Sequence, residues 1–359
     1  MNAWYEIENI SEIDSPQLVV YIDRVQHNIN EAIRMCGVNR LRPHIKTNKT
    51  AEVVRMMVDA GIRKFKCATI EEAELLAMEN ADDVLLAYQP VGPKIERLGA
   101  LIAKYPSTRF SCITDHAVAA SAIANHFSSM EKFVDVFIDL NVGMNRTGIA
   151  VEKAKDLADT IRQLPGIRLR GLHAYDGHIR NSDFEERKAI CDQNFQRVEK
   201  LVREMESGGE RLLVIAGGSP TFPVHAQRAN VECSPGTFVF WDKGYSEICP
   251  EQNFLPAAIV LSRVISLPED NRICIDMGHK SIAAENEISR RAWFINEPEA
   301  KLLSQSEEHG VVDPSRRHIP GDIMYIMPYH VCPTVNLYQS VVVVKDNRAV
   351  GIWKVAARH

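Results

Sequence analysis

The sequence predicts a parallel (β/α)8 barrel followed by a second, mostly β domain. Three observations carry this. From Leu18 to about Asp242 short β-rich runs alternate with amphipathic stretches, the pattern of a parallel sheet with crossover helices. The strands in that region number eight or so, which suits a closed barrel better than an open doubly wound sheet. After Tyr245 the texture changes to strands separated by Pro, Gly and charged turns, with almost no helical period. The expected domains are 15–245 for the barrel and 246–359 for the β domain, with residues 1–14 packing on the latter.

The barrel strands are expected at Leu18–Ile22, Leu41–Ile45, Lys64–Ala68, Val84–Ala87, Arg109–Ile113, Phe133–Asp139, Ile167–His173 and Leu212–Ile215, with short runs near Val231 and at Thr237–Phe240. Between them Thr50–Ala60, Ile70–Met78, Asp115–His126, Val151–Arg162 and Glu185–Met205 place apolar residues three and four apart with few breakers, and these read as helices. In the second part Ala257–Ser266, Ile273–Asp276, Ile323–Met327, Val335–Leu337 and Val341–Val344 read as strands, and Ser315–Asp322 as a turn ahead of one. No repeat of fixed period is visible.

Composition bounds the function. At roughly 150 residues per domain, 359 residues leave room for a barrel and a smaller partner. A hydrophobic fraction of 45% with 25% charged residues excludes collagen-like, disordered and disulfide-scaffold classes. The net charge of -5 offers no basic excess to neutralise phosphates, which argues against a nucleic-acid binder. No apolar run approaches the roughly 18–20 residues of a membrane-spanning helix. Met1–Pro16 carries Glu6, Glu8, Glu12 and Asp14 in place of a basic and then apolar leader, so no signal peptide is expected. The eight cysteines (Cys36, Cys67, Cys112, Cys191, Cys233, Cys249, Cys274 and Cys332) show no CxxC spacing and read as reduced cytoplasmic thiols.

Four clusters fall where barrel enzymes place their chemistry, at or beyond strand ends. Arg42 to Lys49 (RPHIKTNK) ends an extended stretch in Lys46, crowded by Arg42, His44 and Lys49. Like charge favours a neutral amine, which can form a Schiff base with an aldehyde; the alternative is a basic surface turn. Ala216 to Thr221 (AGGSPT) follows an apolar run, and its glycines let backbone N–H groups approach an anion while Ser219 and Thr221 add hydroxyls. Ser234 to Thr237 (SPGT) repeats that chemistry after the next strand, so two neighbouring loops would bind phosphate; a plain tight turn is the alternative. Gly171 to His178 (GLHAYDGH) runs a strand into a polar turn, with His173 and Tyr175 on one side where either could stack on or hydrogen-bond a ring cofactor. Core or capping histidines would look the same. Asp139 to Gly148 (DLNVGMNRTG) similarly carries Arg146, suited to an anionic ring oxygen or to a carboxylate. Lastly, His330 and Cys332 stand at i and i+2 of an expected extended segment, an imidazole and a thiolate projecting together as zinc prefers. A buried structural cysteine is the alternative. His279, Glu307, Glu308 and His309 are further polar groups in that domain.

Taken in order, SPQLVVYID, RPHIKTNKT, KFKCATIEEAELLA, DLNVGMNRTGI, GLHAYDGHI, AGGSPTFP, CSPGTFVFWD, DMGHKSIAAE, SEEHG and PYHVCPTVNLY resemble the D-threonine aldolase and D-serine dehydratase family, pyridoxal-phosphate enzymes of the alanine-racemase-like barrel class (fold type III). The resemblance runs from about Ser15 to Trp353. It implies a pyridoxal 5'-phosphate barrel, a C-terminal β domain, and a head-to-tail homodimer with the active site at the interface. Lys46 then occupies the place of the Schiff-base lysine and Arg146 that of the arginine facing the cofactor ring oxygen. Gly217, Gly218, Ser219, Gly236 and Thr237 match the phosphate cup, and His173 and Tyr175 flank the cofactor. His330 and Cys332 fall where the family holds a divalent metal, zinc first, with manganese or magnesium as alternatives. Two positions depart from the usual pattern: Asn48 stands where a second histidine is more usual, and Cys332 where aldolases more often carry Asp with a harder metal. The cysteine resembles the dehydratases, whereas KFKCATIEEAELLA and GHKSIAAE resemble the aldolases.

The resemblance therefore implies a metal-assisted lyase acting on 3-hydroxy D-amino acids. The aldolase reaction gives glycine and an aldehyde; the dehydratase reaction gives a keto acid and ammonia. An amino-acid racemase would need a second base opposite Lys46 and no metal, and a non-catalytic pyridoxal-phosphate carrier would lack the second domain. His178, His279 and His309 are the candidates for a further acid or base.

Overall fold

The computed structural model describes residues 3–206 and 211–357. In chain order the main elements are β1 (Gln17–Tyr21), α1 (Ile22–Cys36), α2 (Ala51–Asp59), β2 (Lys64–Cys67), α3 (Ile70–Met78), β3 (Asp83–Leu86), α4 (Pro93–Lys104), β4 (Arg109–Thr114), α5 (Ala117–Ser129), β5 (Val134–Asn141), β6 (Ile149–Ala150), α6 (Ala154–Gln163), β7 (Ile167–Ala174), α7 (Phe184–Met205), β8 (Leu213–Ala216), α8 (Phe222–His225), β9 (Val231–Cys233) and α9 (Lys243–Ile248). There follow β10 (Ala258–Glu269), β11 (Arg272–Ile275), β12 (Ala292–Phe294), β13 (Lys301–Gln305), β14 (Gly310–Asp313), β15 (Ile323–Pro328), α10 (Val331–Leu337), β16 (Ser340–Lys345) and β17 (Arg348–Lys354). They form two compact units. The first joins the chain up to Glu31, Thr47–Val53 and the chain from Thr237 onward; the second joins Ala32–Lys46 and Val54–Gly236. The sequence expectation was 15–245 and 246–359 with residues 1–14 on the latter, so the differences are the start of the barrel unit, the Thr47–Val53 excursion and the boundary at Thr237.

The second unit carries a parallel sheet in the order β2-β3-β4-β5-β7-β8-β9. Its two edges are joined by Leu41–His44 through single bridges, Leu41 to Cys233 and His44 to Lys66, with Arg42 N–H donating to Cys233 O at 2.8 Å and Lys66 N–H to Pro43 O at 2.8 Å. Eight extended segments thus close a barrel. Pro43 has no N–H to give, and the chain turns at once into a short 3-10 helix at Ile45–Thr47, so the expected strand Leu41–Ile45 is reduced to two bridges. Leu85, Ile113, Phe137 and Ile215 pack the interior.

Charged residues fill the amino-terminal end of this barrel. The fully buried Arg42 bonds Asp83 and Glu232, each at 2.7 Å, Arg170 also pairs with Asp83, and Asp135 takes Arg109 at 2.6 Å and Arg168 at 3.0 Å. Such pairs are costly to break from one side, because the remaining charge is stranded. Helix starts follow local chemistry: the Thr69 hydroxyl accepts from Glu72 N–H at 3.1 Å to cap α3, and Asp183 accepts from Glu186 N–H at 2.8 Å to cap α7.

The first unit contains a largely antiparallel sheet, β13-β14-β11-β10-β1-β16-β17, with β15 on β10 and β12 on β15. β1 corrects the expectation for Leu18–Ile22, which is no barrel strand. It runs antiparallel to β10 and parallel to β16, and Leu18, Val19 and Val20 are wholly buried. An apolar run of this kind marks a strand buried on both faces but carries no signal for which sheet it joins. Two further expected strands are helical. Thr237–Val239 forms a 3-10 turn closed by Phe240 N–H to Thr237 O, and Val335–Leu337 lies within α10. Short runs with β-favouring residues such as Thr237, Phe238 and Val335 do not outweigh the helical hydrogen bonds available there. The helices α1 and α4 and the strands β12, β13 and β14 were not anticipated. Among the described residues no helix is long and apolar enough to cross a membrane.

Candidate active site

The carboxyl ends of the barrel strands gather the first group of functional residues. Lys46 follows the bridging segment on the 3-10 turn, half-buried, its N–H directed to His44 Nδ1 at 3.3 Å. Its ammonium lies 6.0 Å from the centre of the Tyr175 ring, just beyond β7. Arg146, on the turn after β5, reaches the same ring at 5.2 Å, and Lys66, from the end of β2, at 5.4 Å. Three cations around one aromatic face form an electropositive pocket.

The crowding of Lys46 comes from an unexpected direction. Arg42 is consumed by its carboxylates at the other end of the strand, and Lys49 Nζ donates to Ala357 O at 3.0 Å. The like charge that acts with Lys46 is Lys66, whose amine is lowered to about 7 by burial first and by Lys46 second. Asn48 is buried and its side-chain oxygen accepts from Thr50 N–H at 3.2 Å, so it shapes the turn.

His173 Nδ1 lies 2.7 Å from Asp139 Oδ1, both side chains buried. Burial alone would raise the Asp139 carboxyl, but the hydrogen bond and charge of His173, with Thr147 and Lys66, bring it below its usual range. Burial also holds His173 below the ordinary imidazole value, against the pull of Asp139. His173 Nε2 is buried with no hydrogen-bond partner among the described residues, beside a pocket lined in part by Asp139, Arg146 and Tyr175. An orphaned buried nitrogen, surplus positive charge and an aromatic face suit an anionic, aromatic aldehyde such as pyridoxal phosphate, so these residues fit that cofactor.

The loop after β8 is built for close approach. Gly217 has φ +83°, and a Cβ there would lie 2.9 Å from His225; one on Gly218 would lie 3.0 Å from the Tyr175 ring. Their N–H groups are turned inward, Gly217 to Ala174 O and Gly218 to Thr221 Oγ1, each at 3.3 Å. Ser219 is buried in the same loop. Ser234 joins the two glycine-hydroxyl loops: its hydroxyl donates to Gly217 O at 3.1 Å and accepts from Lys66 Nζ at 2.5 Å, ahead of the buried Gly236.

Beneath this loop lies a cluster that the sequence did not suggest. Thr221 donates to Asp176 Oδ1 at 2.7 Å, His225 Nε2 is 2.8 Å from Asp176 Oδ2, and Cys191 Sγ is 3.4 Å from His225 Nε2. Asp176, Cys191 and His225 lie close enough to hold a metal ion. Arg228 Nη1, a donor only, sits 2.8 Å from His225 Nδ1, which must accept; Nε2 then carries the proton and donates to Asp176. Burial, with Asp176 adding to it, pushes the Cys191 thiol up to about 12. The set therefore reads as a hydrogen-bonded brace for the Gly217–Thr221 loop. No spacing signal could reveal it, because its members come from three different elements.

His330 and Cys332 belong to the first unit. The expected extended geometry is corrected: His330 is the residue before α10 and Cys332 lies in its first turn, with Thr334 Oγ1 bonded back to His330 O at 2.8 Å. The two side chains nonetheless interact. Burial would lower the His330 imidazole, but Cys332, then Glu285 and Asp242, raise it to about 9. Glu285 bonds His330 Nδ1, leaving Nε2 to coordinate, the usual support of a metal-bound histidine. Cys332 Sγ is 3.2 Å from Thr47 Oγ1 and 3.6 Å from the buried Thr237 Oγ1. This imidazole and thiolate set fits zinc. Thr47 is the residue after Lys46. His279 and His309 are exposed beside Glu308, and His178 is exposed against Gly143.

Comparison with known proteins places this geometry. The chain belongs to the family described as "Alanine racemase, N-terminal domain", whose model matches residues 20–243, and residues 257–344 match "Putative serine dehydratase domain". It is similar to a D-threonine aldolase from an Arthrobacter species, 29% identical over 97% of this chain and 94% of that one. It is also similar to a D-threo-3-hydroxyaspartate dehydratase from Delftia sp. (strain HT23), 24% identical over 97% and 98%. Among solved structures, a D-threonine aldolase from Filomicrobium marinum matches with a TM-score of 0.90 and 25% identity over 97% of this chain and 96% of that one. The fold is alanine-racemase-like, and the protein is an enzyme, a pyridoxal-phosphate-dependent lyase.

Proposed function

We propose that the protein is a D-threonine aldolase-like enzyme that cleaves 3-hydroxy D-amino acids to glycine and an aldehyde with the help of a divalent metal. The observation that carries the reading is the approach of Lys46 at the mouth of the closed barrel to the Tyr175 ring, which Arg146 also reaches and which lines one pocket with Arg146 and His173. Lys46 would hold pyridoxal phosphate through its aldehyde, Arg146 would face its ring oxygen, His173 and Tyr175 would flank the ring, and Gly217, Gly218, Ser219, Gly236 and Thr237 would surround its phosphate. When bound, the cofactor supplies an electron sink for charge developing at the substrate α-carbon. A divalent ion, zinc first, held by His330 and Cys332 would supply Lewis acidity toward the substrate 3-hydroxyl.

The chain's own part is positioning and proton handling. Arg146 brings positive charge from the exposed rim and Lys66 from a desolvated position, where charge acts more strongly than in water. Tyr175 gives a face on which a planar ring lies. For aldol cleavage a base must take the proton of the 3-hydroxyl; for dehydration a base, Lys46, must take the proton at the α-carbon. Cys332 in place of a harder carboxylate ligand favours the dehydratase as the second reading, with a keto acid and ammonia as products. Racemisation is the third reading and has no use for the metal pair. A homodimer with the active site at the interface and a cytoplasmic location complete the proposal; eight free cysteines suit a reducing compartment.

The deciding experiment incubates purified enzyme with D-threonine or D-serine, with and without a chelator, and measures glycine against ammonia. Glycine that disappears with chelation supports the aldolase. Ammonia with a keto acid would transfer the assignment to the dehydratase, and undiminished turnover without metal would overturn the role of His330 and Cys332.

A further inference from the structure

Lys66 is a buried titratable group that the family resemblance leaves without a task. It is 2% exposed, and its ammonium has one hydrogen-bond partner, the Ser234 hydroxyl; it forms no ion pair among the described residues. The charged groups that face it are Lys46, Arg42, Asp139, Asp176 and His173. Asp139 and Asp176 are hydrogen-bonded to His173 and to His225 and Thr221, form no ion pair with Lys66 among the described residues, and favour its charged form less than burial and Lys46 oppose it, while Arg42 is balanced by Asp83 and Glu232. A buried ammonium without a carboxylate of its own is expensive, which is why its affinity for a proton falls to about 7. With Lys46 and Arg146 it surrounds the Tyr175 ring, and through Ser234 it is tied to Gly217.

We propose that Lys66 is an anion-binding residue of the barrel-mouth site, its ammonium supplying the counter-charge for the phosphate or the ionised ring oxygen of the ligand that Lys46 holds. The identity of that ligand rests on the pyridoxal phosphate reading; the need for an anion rests on the charges alone. An anion seated there favours the protonated amine. Its binding therefore takes up a proton, and affinity falls as the pH climbs past neutrality.

The test uses the cofactor-free full-length enzyme and sulfate, which keeps the same charge throughout. Wild type is expected to lose about tenfold or more in sulfate affinity between about pH 6 and 8.5, following the fraction of charged amine. Lys66→Met should bind weakly at both values, and Lys66→Arg, permanently charged, should bind at both without that loss. A Lys66→Met protein with wild-type affinity and pH dependence would overturn the proposal; should that variant not fold, a Lys66→Arg protein that retains the wild-type loss does so instead. Titration with pyridoxal phosphate and with pyridoxal then separates the two sources. A Lys66→Met penalty confined to the phosphorylated form assigns the phosphate, and one shared by both assigns the ring oxygen. If wild type follows the sulfate expectation but takes up no pyridoxal phosphate, the cofactor reading fails and the anion site stands.

Discussion

Lys46 and Lys66 reach one tyrosine ring from different depths, and their surroundings give them different chemistry. Lys46 is half-buried on a turn; Lys66 is enclosed in a strand end with a single hydroxyl partner. Lys46→Ala is expected to abolish turnover and the visible absorbance of a lysine-linked cofactor, and an unchanged spectrum would refute its assignment. His330→Ala and Cys332→Ala should leave that absorbance intact while bound metal, measured by elemental analysis, and activity fall together. The basic run around Lys46 drew attention in the sequence but suited a surface turn as well, and it was the resemblance that singled out Lys46. Lys66 was not legible there, since a lysine alternating with Phe65 and Cys67 reads as the solvent side of a strand, and its enclosure follows from barrel closure.

At the scale of elements, local rules worked where local interactions decide. Ile70–Met78 was read with the bounds the structure shows, because Thr69 caps it and its apolar spacing is regular. The strands β1 and Leu41–His44 and the helix α10 were misread, because partners distant in the chain decide them. The loop after β8 depends on a left-handed glycine, so Gly217→Ala should cost about 1–3 kcal/mol in strain and weaken cofactor binding, read as a lower unfolding midpoint and a higher Kd. In the charged belt Asp83→Ala would leave the buried Arg42 with Glu232 alone and Arg170 with only the more distant Asp135, and should destabilise the protein by about 3 kcal/mol, checked by urea denaturation.

For the whole molecule, buried charge makes stability depend on pH at both ends. Burial would raise the Asp83 carboxyl, but Arg42 and Arg170 hold it at about 2, and Asp139 and Asp176 are likewise held below their ordinary values. Groups with depressed carboxyl values stabilise the fold above about pH 4, and that contribution is lost as the pH falls toward about 2. Thermal melts from pH 5 downward should show the loss, smaller in Asp83→Ala. Lys66 acts at the other end. Its folded value lies below its unfolded one, so the unfolded chain binds the extra proton and stability rises with pH from about 7 toward the ordinary lysine range. Cofactor-free Lys66→Met should lack that rise and be the more stable protein at pH 7; equal melting curves would contradict it.

By itself the sequence determined the alternation of strands and helices, the change to β texture near Tyr245, and the residue types at the barrel mouth, because apolar period, glycine-hydroxyl turns and basic runs are local properties of a chain. Tertiary structure alone decided that β1 leaves the barrel for the other sheet, that Lys66 has no carboxylate, and that Asp176, His225 and Thr221 brace the Gly217 loop. Each of these depends on which distant segments become neighbours, and on the water they exclude when they do.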